Sequence, residues 1–347
     1  MPTPWVLHVD LDQFVAAVEI LRRPELAGLP VVVGGHGDPT ERGVVSTASY
    51  EAREYGVGSG MPLRVAARKL PGAAVFLPVD APAYTAASNA VMDTLRDTVA
   101  VVEVLGWDEA FLGIDTDDPE SAAQSVQAAV LDATALHCSI GIGDNKLRAK
   151  IATGFGKPRG IFRLTANNWW QVMGERPADA LWGIGGKTAK KLAALDIHTV
   201  VELASAPIDM LAATFGPKTG PWLHHLAYGH GARTVSAEPY RARSHSREIT
   251  FQQDVADWGR LAAEVRDLAT RVAADIAAEH RPAIRVALKV RYAPFDTHTT
   301  SASLTEPTSD PCELADAAAT LVDRLDHDRK VRLIGVRLEM VPSGDAT

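Results

Sequence analysis

Val101-Val102-Glu103-Val104-Leu105, then Gly106-Trp107-Asp108-Glu109, then Ala110-Phe111-Leu112-Gly113-Ile114: two apolar runs flank a short acidic junction. Branched apolar side chains suit the pleated, half-buried backbone of a sheet. The stretch predicts strands over 101–105 and 110–114, with adjacent carboxylates where they meet. A second acidic strand end lies far upstream, where Trp5-Val6-Leu7-His8-Val9 runs into Asp10-Leu11-Asp12. Carboxylates gathered at strand ends hold magnesium or manganese against a phosphorylated substrate, because hard cations take oxygen ligands. Each acid taken singly also reads as a surface turn residue, and Asp12 shares a face with Asp10 only if the strand continues.

Outward from these acids, the chain alternates strands and helices. Strands are expected over 5–10, 30–33, 43–46, 138–142 and 160–164. Helices are expected over 15–22, from Ser49, and over 62–70, 80–97, 118–134 and 145–153. Pro62 suits the first turn of its helix. This mixture predicts an α+β fold with the carboxylates on a central sheet. Residues 168–230 read as all helical, and 237–246 as an exposed basic linker. The remainder reads β-α-β-β-α-β, a ferredoxin-like module, with helices at 257–279 and 311–325.

Groups that bind phosphate accompany the acids. Thr47 precedes Ser49-Tyr50-Glu51-Ala52-Arg53, in which Tyr50 and Arg53 share a helix face. The segment from Lys146 to Lys157 adds cations. Between Asp144 and Lys191 ten basic residues face three acids, a local excess of seven on a chain whose net charge is −8. A local basic surface on an acidic protein tracks a phosphate backbone, whereas any one lysine alone reads as a solvated helix face. Leu181-Trp182-Gly183-Ile184-Gly185-Gly186-Lys187 runs a glycine turn into a basic helix, a helix-hairpin-helix pattern for gripping nucleic-acid backbone; an ordinary turn between helices is the competing reading. Asp196 follows the second helix in a position suited to a left-handed backbone. In Arg285-Val286-Ala287-Leu288-Lys289-Val290-Arg291 the cations alternate with apolar residues, and Arg243, His245 and Arg247 show the same alternation. The expectation is a sheet face that follows phosphates, against the alternative of a merely solvated face.

The 347 residues suffice for two to four domains. Only two cysteines occur, Cys138 and Cys312, which excludes a disulfide framework and a cysteine-rich zinc site. The apolar run at the N-terminus is too short for a signal peptide or membrane span, so a cytoplasmic protein without a membrane partner is expected.

Together these runs resemble the Y-family DNA polymerases, the translesion class, in the DinB or polymerase IV branch. The residues that carry the resemblance are His8-Val9-Asp10-Leu11-Asp12-Gln13-Phe14, Ser49-Tyr50-Glu51-Ala52-Arg53, Asp108-Glu109-Ala110-Phe111-Leu112, Ser139-Ile140-Gly141-Ile142, Asn145-Lys146, Ala149-Lys150, Lys157-Pro158 and Gly183-Ile184-Gly185. The resemblance implies a multidomain right-hand polymerase with a palm (1–12 and 80–167), fingers (13–79), helical thumb (168–236), linker (237–242), little finger (243–342) and tail (343–347). It implies that Asp10, Asp108, Glu109 and the Leu11 carbonyl bind two magnesium ions, with manganese as a substitute. Thr47, Tyr50, Arg53 and Lys157 would hold the nucleotide triphosphate. Gly183, Gly185, Lys187, Arg243, Arg247, Arg285, Lys289 and Arg291 would contact primer-template DNA. Backbone contacts do not test base identity, which fits synthesis past damaged bases. Low fidelity without proofreading is expected, from a monomer.

Three positions depart from the family pattern. Val15 follows Phe14 where an aromatic ring usually excludes the 2′-hydroxyl, so ribonucleotides are expected as substrates beside deoxynucleotides. Gly106-Trp107 replaces the usual serine and hydrophobe before the acids. The tail Val341–Thr347 lacks the glutamine-and-aromatic peptide of the branch, which removes the usual ground for expecting a sliding-clamp partner. The rival readings are a non-catalytic DNA-binding scaffold with the same fold, and a nucleotide cyclase on a similar palm. The intact acids oppose the first; the helical hairpin and basic C-terminal module oppose the second.

Overall fold

The structure, a computed structural model, describes residues 3–99 and 101–342. The chain forms two units. One comprises residues up to Asp38 with Val44–Pro239, the other Pro39–Gly43 with the chain from Tyr240 onward.

In the first unit β1 (Thr3–Leu11) leads into α1 (Phe14–Arg22), β2 (Val31–Val33), β3 (Thr47–Ala48), α2 (Tyr50–Glu54), α3 (Leu63–Lys69) and β4 (Val75–Leu77). Then come α4 (Ala81–Thr98), β5 (Val101–Val104), β6 (Glu109–Thr116), α5 (Pro119–Thr134), β7 (Cys138–Gly143), α6 (Lys146–Gly156) and β8 (Ile161–Leu164). The main sheet has the order β5-β6-β1-β7-β8. The first strand of the chain therefore sits at its centre, antiparallel to β6 and β7. Alternation sorts its side chains: Leu7, Val9 and Leu11 enter the large core with Val91, Leu95, Val126 and Val130, while Val6 packs with Phe111 and Ala149 on the other face.

Helix α6 lies close against that second face. A Cβ on Gly141 would stand 1.9 Å from the Ala149 carbonyl oxygen and 2.4 Å from the Thr153 amide. Only glycine permits this approach. Gly141→Ala is expected to destabilise the protein by about 1–3 kcal/mol or more through overpacking, seen as a fall in Tm.

A smaller sheet has the order β3-β2-β4. It corrects the strand expected at 43–46. Val44 makes only an isolated bridge to Pro62, and the pairing with β2 begins at Thr47. Strand β4, parallel to β2, was not anticipated, since three residues are too few to display a period. Pro62 caps α3 from outside rather than opening its first turn. The helical stretch holds α7 (Trp169–Met173), α8 (Gly186–Ala193), α9 (Val200–Ser205), α10 (Ile208–Phe215) and α11 (Thr219–Ala227), closed around Trp169, Leu192, Leu203, Leu211 and Leu223.

The second unit contains β9 (Ser244–Val255), α12 (Trp258–Ala277), β10 (Ala283–Tyr292), β11 (Asp296–Thr308), α13 (Pro311–Thr320) and β12 (Val331–Met340). This is the expected β-α-β-β-α-β order, in a sheet ordered β11-β10-β12-β9. Both helices pack on one face, over Val286, Leu288, Val290, Val336 and Leu338. The tail 343–347, on which the clamp expectation rests, lies outside the described residues. No described helix is long and apolar enough to cross a membrane.

Candidate active site

Register brings the two acidic elements together. Asp10 pairs with Glu109 across β1 and β6, and the Leu11 amide donates to the Asp108 carbonyl at 2.8 Å. One oxygen each of Asp10 and Glu109 and a ring nitrogen of His8 all lie within 4.8 Å of one another. Asp108 stands outside that group but shares its field. Burial, then the charges of Asp10 and Glu109, raise its carboxyl above the ordinary aspartate range.

Glu109 goes the other way, pulled down to about 2, first by its hydrogen bond to His8 and further by Lys150. Burial keeps His8 neutral by lowering its pKa. His8 Nε2 lies 3.2 Å from the Glu109 carboxylate and 3.3 Å from the Lys150 ammonium, and Nδ1 lies 2.8 Å from the Thr153 hydroxyl, which also reaches the His8 and Ala149 carbonyls. Two ammonium groups complete the site, Lys157 on Asp10 and Lys150 on Glu109. A cavity of about 640 Å³ opens before Asp10, bounded also by Lys150, Lys157, Arg176, Asp179 and Trp182.

Near this cluster the Arg53 guanidinium lies over the Tyr50 ring, 4.9 Å from its centroid, and its Nε donates to the Ala48 carbonyl. The hydroxyl of Tyr50 donates to Asp12 at 2.7 Å. Val15 and Phe14 open α1 and are both buried. Trp107, just before Asp108, meets the Tyr84 ring edge-on at 6.4 Å.

Not every lysine and arginine of the basic segment is available to a ligand. Lys146 is held by Glu103 (2.7 and 2.5 Å) and Arg148 by Asp144 (2.8 Å). Lys187, Lys190 and Lys191 on α8 are exposed and carry no ion pair among the described residues. Gly183, at φ +109°, turns the chain into that helix, and its missing Cβ leaves room for Trp222. Asp196 is left-handed, φ +57°, as its sequence position suggested.

On the second unit the open sheet face carries Arg285 and Lys289, with Arg337 from the next strand. It is not free of acids: Glu248 binds Lys289 at 2.6 Å and Glu339 approaches Arg285 at 3.8 Å. Arg243, His245 and Arg247 do not extend it as expected. His245 and Arg247 oppose Leu338 and Val336, residues of the helix-covered face. Arg247 is spent in a two-pronged bond to Asp275 (2.7 and 2.7 Å), and His245 binds Glu279 at 2.5 Å. Arg243 precedes β9 and pairs its carbonyl with the Met340 amide.

Comparison with known proteins bears on this arrangement. The impB/mucB/samB family matches residues 9–154, its C-terminal domain 242–346, and a DNA polymerase-iota thumb domain 179–230. DNA polymerase IV 2 of Mycobacterium tuberculosis strain H37Rv is 51% identical over 347 residues, covering 98% of this chain and 100% of that protein. The chain belongs to the Y-family DNA polymerases, in the DinB branch. DNA polymerase IV of Methanoculleus marisnigri is 40% identical over 98% of this chain and 95% of its own length. Among solved structures, a Y-family Dbh–Dpo4–Dbh chimera superposes with a TM-score of 0.84 at 26% identity, covering 98% of this chain and 100% of that one. The insertion ternary complex of Dbh DNA polymerase superposes at 0.66 and 26% identity, covering 97% and 98%. This Y-family enzyme is a DNA-directed DNA polymerase.

The donor set of this polymerase suits a divalent metal. Its oxygens are carboxylates, the choice of hard cations, and they already attract two ammonium groups. Sequence reasoning passed over His8 and Thr153 as supports of Glu109, since a histidine amid apolar strand residues signals nothing by itself. Asp12, which the sequence offers only as a weaker companion of Asp10, is held by partners from three distant segments, Tyr50, Ser139 and Arg159.

Proposed function

We propose that this polymerase extends a primer on a DNA template by two-metal nucleotidyl transfer, with low fidelity, without proofreading, and past damaged template bases. The observation that carries the reading is the pairing of Asp10, which lines the cavity, with Glu109 beside Asp108. Asp10, Asp108, Glu109 and the Leu11 carbonyl hold two magnesium ions, or manganese in their place. Bound there, the ions lower the pKa of the primer 3′-hydroxyl and stabilise the leaving pyrophosphate. His8 orients Glu109 and keeps it ionised. Lys157 and Arg53, with Thr47 nearby, neutralise the triphosphate of the incoming nucleotide as charge moves toward pyrophosphate. Tyr50 belongs to the same wall. The palm comprises 1–12 and 80–167, the fingers 13–79, the thumb 168–236 and the little finger 243–342.

Primer-template DNA is gripped through its backbone, by Gly183, Gly185 and Lys187 in the thumb and by Arg285, Lys289, Arg291 and Arg337 in the little finger. Such contacts fix position without testing bases, which is what tolerance of lesions requires. Lys187→Ala is expected to weaken DNA binding equally for all sequences and to reduce the slope of log Kd against log salt by about 1. Val15 leaves the sugar pocket open to ribonucleotides. Primer extension on undamaged and lesion-bearing templates, with magnesium or manganese and with both nucleotide types, tests the reading. DNA binding without extension under every condition would favour the scaffold instead.

A further inference from the structure

The tip of the β5–β6 hairpin is apolar and uncovered. The amides of Leu105 and Gly106 both donate to the Glu109 carbonyl, at 3.0 and 3.3 Å, which closes the hairpin and holds Trp107 at its turn, one residue before Asp108. Trp107 is 45% exposed, and Val104 and Leu105 beside it are exposed as well. A single apolar side chain in water needs no explanation, whereas an apolar tip that carries one of the site's acids offers a substrate something to pack on.

What backs Trp107 connects it to the sugar pocket. Its ring meets the Tyr84 ring edge-on, centroids 6.4 Å apart and planes at 60°. Tyr84 is fully buried in α4, and its hydroxyl donates to Glu19 Oε1 at 2.8 Å. Glu19 stands one helical turn after Val15 on α1, so the two share a face of that helix. Val15 and Tyr84 also belong to one buried cluster. A continuous surface therefore runs from Val15 through Tyr84 to Trp107. At its two ends stand two of this chain's departures from the family pattern: Val15 lacks a ring, and Trp107 adds one.

We propose that the Trp107 indole is the surface against which the sugar of the incoming nucleotide packs, a specificity-determining contact that stands in for the ring missing at Val15. The inference rests on the sugar pocket proposed above and deepens it. The apolar face of a furanose covers an indole without hydrogen bonds, so the contact steadies the sugar and does not test its 2′-hydroxyl. Val15 leaves room for that hydroxyl, and Trp107 restores the hold that the smaller side chain gives up. Ribonucleotide and deoxynucleotide are then held alike.

A double-variant cycle in steady-state primer extension separates this role from others. Trp107→Ile is expected to raise KM about tenfold for both nucleotide types, with kcat changed less than about threefold. Trp107→Phe, which keeps a ring, is expected to raise KM by about threefold or less. Beside Val15→Phe, whose ring takes over the sugar, Trp107→Ile is expected to raise the deoxynucleotide KM by less than about twofold. Equal tenfold rises in both backgrounds, or no rise in the first, would overturn the inference. If Val15→Phe left the choice between the two sugars unaltered, the gate itself would fail and take the inference with it, a result told apart by that unchanged ratio. Primers ending in deoxyribose and in ribose should show the same Trp107→Ile effect; one that changes with the terminal sugar would put the ring under the primer end and overturn the assignment. Manganese affinity of the free protein, read by electron paramagnetic resonance, should match the parent in Trp107→Ile. Weakened binding would make the ring a support of Asp108, again overturning it. Because Trp107 is largely exposed, Trp107→Ile is expected to fold as the parent does, checked by Tm.

Discussion

Asp10→Asn is expected to slow single-turnover primer extension at saturating nucleotide by about a thousandfold, ~4 kcal/mol of transition-state stabilisation. The substitution preserves shape and removes the charge at the centre of the sheet, where Asp10 faces Glu109 across one ladder position. Stability should not follow activity downward. The Asp10 charge pushes the Asp108 carboxyl upward, a sign of mutual repulsion, and its cationic partner is the partly exposed Lys157. A partly exposed pair contributes about 0–1 kcal/mol, so losing it is offset by relief of the repulsion. Without divalent ions, the Tm of the variant should equal or exceed that of the parent. Manganese titration should show weakened binding in the same protein. A variant that keeps extension within tenfold of the parent would rule out Asp10 as a metal ligand.

Val15→Phe is expected to raise the preference for deoxynucleotides over ribonucleotides, as a ratio of kcat/KM, by about 10–200-fold, the 1–3 kcal/mol available from steric exclusion in a small pocket. Val15 is the second residue of α1, with 8% of its surface exposed beside the buried Phe14. A β-branched side chain there is shorter than a ring, and on the function proposed above the space that the ring would fill is where a 2′-hydroxyl enters. Because Val15 also touches the core, overpacking could cost about 1–3 kcal/mol, so Tm is measured alongside. A parent enzyme already as selective as the Phe variant would sink the idea.

The acids were legible because their signal is local: an apolar strand ending in carboxylate, twice, in one chain. The basic turn at Gly183-Ile184-Gly185 and the left-handed Asp196 were legible for the same reason, since backbone conformation there depends on the residues themselves. The supports of the site were not. Nothing near His8 in sequence shows that Thr153 and Glu109 will bracket its ring, and nothing near Gly141 shows that α6 will press against it.

The sequence by itself determined the family, the order of the longer strands and helices, and which residue types are suited to a substrate's phosphates, because these rest on side-chain chemistry and short-range periodicity. Tertiary structure decided which of those residues are at liberty to act. Strand parity turned Arg247 toward Asp275 and away from the open face. Proximity gave Lys146 to Glu103. A charge can serve only so many partners, and those partners are set by contacts between segments distant in the chain.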